Sequence, residues 1–154
     1  MEEFDFIGPN DQPALLAITS PEPLAMAKAA MTEMGYKTHV VETHPQFETR
    51  YNQINYQVIL IEETFAGTPF AENASLRMVQ NLSMSQRRYA TFFLIGPNVE
   101  SLNTMQAFSQ SVHCVLNFGE LPMLREVVQK TVAENDLFLS TFRETQRRVY
   151  QKGS

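Results

Sequence analysis

The stretch NYQVILIEETFAG, residues 55–67, runs four apolar residues, Val58 to Ile61, straight into two glutamates, Glu62 and Glu63. Two carboxylates at the end of an apolar segment read either as a catalytic pair or as a solvated strand end whose charges meet water. Adjacent strand residues point to opposite faces, so Glu63 is expected away from Glu62 and exposed. His113 and Cys114 are a second pair with chemical potential. The same alternation separates a thiol nucleophile from its base, so a core cysteine and a strand-end histidine are expected. His39, His44 and His113 lack metal-ligand spacing to Cys or carboxylates, and no metal is expected. The turn TSPEP, residues 19–23, has no glycine, and its Pro21 and Pro23 lack the N–H groups that a phosphate at a helix start uses. No nucleotide or flavin cofactor is therefore expected.

The elements that must position these residues belong to a chain of 154 residues, enough for one domain that buries roughly two thirds of its unfolded surface. Its 44% hydrophobic and 19% charged residues are ordinary for a globular protein. Cys114 is the lone cysteine, which rules out an internal disulfide and suits a reducing cytoplasm. The net charge of −5 argues against a nucleic-acid partner, because neutralising phosphates takes a basic surface. No run approaches the roughly 18–20 apolar residues of a membrane span. Residues 1–13 carry Glu2, Glu3 and Asp5 where a secretory signal carries positive charge, and read as a flexible acidic leader.

The stretches 14–19, 36–42, 58–61, 89–96 and 112–118 predict five strands. Between them, Ser20 and Pro21 open a first helix that stops at Gly35, and Thr43 with Gln46 forms a capping box for a second. Residues 74–88 predict one amphipathic helix, residues 97–111 a weaker one, and residues from Glu120 to about Tyr150 a long last helix. Strands that are apolar throughout belong to parallel sheets covered on both faces, so the class is a doubly wound, flavodoxin-like α/β sheet. Right-handed crossovers leave 2-1-3-4-5 as the common strand order at this size.

AITSPEPLAMAKAAMTEMGYKTHVVE, with its Gly-Tyr helix end, and YQVILIEE, with a tyrosine before four apolar residues and an acid, resemble the receiver domain of bacterial response regulators. The resemblance covers about residues 14–134, and it places Glu62 at the phosphoacceptor aspartate. In that family two acidic residues after strand one hold Mg²⁺, a Ser/Thr ends strand four and a Lys-Pro pair ends strand five. Here Thr19 and Ser20 fall at the acidic pair and Gly96 at the Ser/Thr. Asn117, or Phe118 with a one-residue shift, falls at the lysine, no proline follows, and Cys114 or Val115 falls at the aromatic switch position. Phosphoryl transfer needs a metal and fixed cations. The resemblance therefore implies a pseudo-receiver that is not phosphorylated and is not an enzyme. Glu62 becomes either a permanent negative charge held by Thr19 or Ser20, or a solvated strand end.

The last helix, at some 30 residues, is longer than such a domain needs. Leu121, Leu124, Val128 and Val132 form its packing stripe, and residues 135–154 extend beyond the domain. In that extension Leu137, Phe138, Phe142 and Val149 are expected at an interface with a protein partner or a second copy, unless the helix folds back on its own domain. The expected function is receiver-like signalling or regulation through protein contacts, homodimerisation included; the alternative is a flavodoxin-like domain with a small-molecule site at the carboxyl ends of the strands.

Overall fold

The computed structural model describes residues 7–152 apart from residue 88; the side chains of residues 139, 140, 142, 143 and 146–152 are not described. Five strands, β1 (Gln12–Ala17), β2 (Tyr36–Val40), β3 (Val58–Glu62), β4 (Thr91–Gly96) and β5 (Cys114–Asn117), form one sheet in the order β2-β1-β3-β4-β5. Every pairing is parallel, as the uninterrupted apolar runs require. The helices are α1 (Pro21–Glu33), α2 (His44–Gln53), α3 (Ala74–Gln80), α4 (Met84–Arg87), α5 (Thr104–Ser109) and α6 (Leu124–Lys152). This is the expected doubly wound sheet with a long C-terminal helix.

Alternating residues of the strands feed two cores. Leu15, Ile59, Ile61, Phe92 and Leu94 pack with Phe47 and Tyr51 of α2 and Leu76 and Val79 of α3. Leu16, Leu60, Phe93 and Ile95 pack on the other face with Ala27 and Met31 of α1 and Leu124 and Val128 of α6. The central strands β1, β3 and β4 are thereby sealed on both sides, and their carboxyl ends set the positions of residues 18–20, 62–64 and 96–98.

Several boundaries differ from expectation. Strand β1 starts at Gln12, whose partner is Tyr36, so residues 12 and 13 belong to the sheet rather than to a leader. Residues 1–6 of that leader lie outside the described residues. The helix expected over 74–88 is two helices, because Ser83 and Gln86 form a new capping box: the Ser83 hydroxyl accepts the Gln86 N–H and the Gln86 side chain accepts the Ser83 N–H. The helix expected over 97–111 shrinks to α5. Leu102 stands at φ 62° and Asn103 caps the helix by accepting the Gln106 N–H, which fixes the start of α5 at Thr104.

Candidate functional site

The site lies where the carboxyl ends of β1, β3 and β4 meet. Glu62 is fully buried, at 0% exposure. Its Oε1 accepts the Thr19 N–H at 2.9 Å, the Thr19 hydroxyl at 3.0 Å and the Ser20 N–H at 3.3 Å. Its Oε2 accepts the Ser20 hydroxyl. Ser20 is the N-cap of α1 yet makes no side-chain cap: Pro23, at the third helical position, has no N–H to offer it, and the Ser20 hydroxyl turns to Glu62. The carboxylate also sits at the positive end of the α1 dipole, which favours a negative charge there. A carboxylate satisfied by four donors is not a solvated strand end; of the two readings of Glu62, the held charge is the one the geometry matches.

Glu63 corrects the sequence reading, which had it exposed: it is 2% exposed. Its N–H still pairs with the Ile95 carbonyl, carrying the ladder one residue beyond the strand. Its side chain lies over Gly96, and its Oε1 and Oε2 accept the Asn98 N–H at 2.8 Å and the Asn98 side-chain amide at 3.2 Å. Strand alternation does send the two glutamates to different neighbours, Glu62 to the β1–α1 turn and Glu63 to the loop after β4. Burial follows because Gly96 supplies no side chain to exclude Glu63.

Asn117, one of the two residues expected at the lysine position, ends β5. Its side-chain N–H groups donate to the carbonyls of Pro97 (3.1 Å) and Val99 (2.8 Å), and its Oδ1 accepts the Gly119 N–H. Together with Glu63 it ties three successive residues, 97–99, to the sheet. Asn73, fully buried, was not anticipated: its amide donates to the carbonyls of Glu62 and Glu63 while its Oδ1 caps α3 at the Leu76 N–H. The signal was present, an asparagine directly before the apolar-periodic run ASLRMV. His44 adds a further tie, with Nδ1 accepting the Ser75 N–H at 3.1 Å and Nε2 at 3.1 Å from the Thr68 hydroxyl. Burial lowers its pKa, consistent with a neutral ring.

These residues do not fit Mg²⁺. A hard cation takes carboxylate, carbonyl and water oxygens, whereas the Glu62 and Glu63 oxygens face N–H and O–H donors, which a cation would have to displace. Among the described residues no three His, Cys, Asp or Glu side chains are grouped to hold a metal. A phosphate-bearing ligand meets the same obstacle, since the Thr19 and Ser20 N–H groups of the first βα turn are already bound to Glu62. Cys114 is buried, which pushes its thiol up and away from thiolate chemistry, while His113 turns its Nδ1 to the Phe92 N–H.

The expected interface residues lie far from this site. Leu137 and Phe138 are 69% and 60% exposed on α6, which runs as one continuous helix to Lys152. The side chains of Phe142 and Val149 lie outside the described residues. A groove of about 600 Å³ opens at the other end of the sheet, lined by Met84, Arg87, Phe108, Glu134, Asn135 and Phe138 among others. No helix among the described residues is long and apolar enough to cross a membrane.

No family model matches the sequence, and no curated protein does. Solved structures do match. A candidate response regulator from Chloroflexus aurantiacus J-10-fl is 10% identical, with a TM-score of 0.65 over 80% of this chain and 99% of that one. The receiver domain of a sensor histidine kinase from Pseudomonas aeruginosa PAO1, solved with magnesium coordinated in its active-site cleft, is 15% identical, with a TM-score of 0.62 over 80% and 98%. The CheY-like protein TadZ from the same organism is 12% identical, with a TM-score of 0.54 over 79% and 99%. The buried strands, their order and these neighbours agree: the chain has the receiver, or CheY-like, fold of response-regulator signalling domains.

Proposed function

We propose that this chain is a signalling or regulatory domain that keeps the receiver fold, lacks the phosphorylation chemistry and acts by contacts with protein, its own copies included. The observation that carries the reading is the state of Glu62: its carboxylate is buried and bound by Thr19 and Ser20. Attack on a phosphoryl group needs a free carboxylate oxygen and a cation to offset the charge gathering on the transferred group. Here the oxygens are taken, hydroxyls stand at the acidic pair, and the amide of Asn117 stands at the lysine. Glu62 acts instead as a fixed charge joining β3 to the β1–α1 turn, and Glu63 and Asn117 hold the loop after β4 in one arrangement.

The experiment is incubation of the full chain with a small acyl-phosphate donor and Mg²⁺, followed by intact-mass measurement. No mass increase is expected. A stable gain of one phosphoryl group that disappears in Glu62→Gln overturns the reading.

A further inference from the structure

Helix α6 has 29 residues, about 44 Å at 1.5 Å per residue, and its sheet-packing face outruns the sheet. Leu124 and Val128 are buried in the core, Thr131 and Asn135 line the groove, and Phe138 stands 60% exposed at its rim. The same four-then-three spacing continues in the sequence through Phe142, Thr145 and Val149, the pattern of a helix that packs on another helix. Across the groove Phe108 is 83% exposed, so apolar surface is offered from both walls.

The charge along α6 says what covers it. Its first half carries Glu126, Glu134 and Asp136 against Lys130 and Arg125, the latter already paired with Glu33, and its second half carries Arg143, Arg147, Arg148 and Lys152 against Glu144. A helix that is acidic in one half and basic in the other complements a second copy of itself only when the two run antiparallel; a parallel pair sets like charge on like. Within the groove the Arg87 guanidinium is already committed, lying 5.0 Å from the Phe92 ring centre and donating to the carbonyls of Val79 and Ser111. Glu134 is then the charge the groove offers to a cationic visitor.

We propose that a second copy of this chain is the occupant: its α6 lies antiparallel along this α6, and its basic half, residues 143–152, lies in the groove beside Glu134 and Phe108. The arrangement is two-fold symmetric, so each chain contributes one groove and one basic segment. It deepens the reading of the domain as an interaction module and rests on it.

Sedimentation equilibrium of the full chain is the test. The wild type is expected to dimerise, more weakly as salt rises. Phe108→Ser, at an exposed position, and the charge inversion Glu134→Arg with Asp136→Arg are each expected to weaken the dimer by about tenfold or more. Adding Arg147→Glu and Arg148→Glu to that inversion in the same chain is expected to restore it. A wild type that stays monomeric at high concentration, a dimer indifferent to these changes, or a combined inversion no tighter than the first overturns the proposal. A monomer that still refuses the phosphoryl group leaves the functional reading standing, and a dimer that accepts it at Glu62 overturns that reading alone.

Discussion

The Glu63 side chain fills the space that a side chain on Gly96 would need: a Cβ at position 96 would overlap Oε1, Cδ and Cγ of Glu63. The two residues, 33 apart in sequence, are therefore chosen together. Gly96→Ala is expected to displace the carboxylate from Asn98 and to destabilise the fold by about 1–3 kcal/mol in urea unfolding. Glu63→Ala in the same chain should recover part of that loss. Simple additivity of the two changes would show that the residues do not compete for one volume.

Glu62 separates loss of charge from loss of partner. Glu62→Gln keeps one acceptor for Thr19 and should cost about 1–3 kcal/mol, since hydrogen bonds to a charged group are worth more than neutral ones. Glu62→Ala leaves the Thr19 and Ser20 N–H groups without their acceptor beside a cavity, and should cost more. Chemical denaturation of both variants should give that order; two midpoints equal to wild type would mean the carboxylate meets water.

Asn73 joins the end of β3 to the start of α3 through three hydrogen bonds. Asn73→Ala removes a helix cap and leaves two buried carbonyls, so a loss of about 2–3 kcal/mol is expected. Asn73→Asp should restore the cap but not the bonds to the carbonyls, and should fall between. Thermal melts of the three proteins check this ranking.

His113 gives the fold a dependence on pH. Burial and the neighbouring Arg87 guanidinium lower its pKa from 6.5 to about 4, against an opposing hydrogen bond with Asn135. The unfolded chain thus takes up the proton first as pH falls. The contribution of His113 is fully present above pH 6.5 and is lost on descending toward pH 4. Denaturation midpoints should fall across that window and fall less in His113→Gln; an identical slope in both proteins would assign the acid sensitivity elsewhere.

The sheet was legible because its evidence is local. Four or more apolar residues in a row, as in Val58–Ile61, fix both the strand and its burial on two faces. Thr19, Ser20 and Glu62 could be placed together through the receiver resemblance, which puts Thr19 and Ser20 at its acidic pair and Glu62 at its phosphoacceptor. What resisted were features set by a residue far away: Glu63 is buried because position 96 is glycine, and no pattern near residue 63 records that. The break in the helix over 74–88 was readable in principle. Ser83 and Gln86 spell a capping box, overridden in the reading by the apolar spacing of Leu76, Val79 and Leu82.

The loop after β4 has its carbonyls at Pro97 and Val99 held by Asn117 and its Asn98 amide held by Glu63. A segment fastened at each successive residue must give up several hydrogen bonds before it can take a second position. The end of β4 and the end of β5 are thereby stapled into one unit, and any rearrangement of either carries the cost of the bonds that join them.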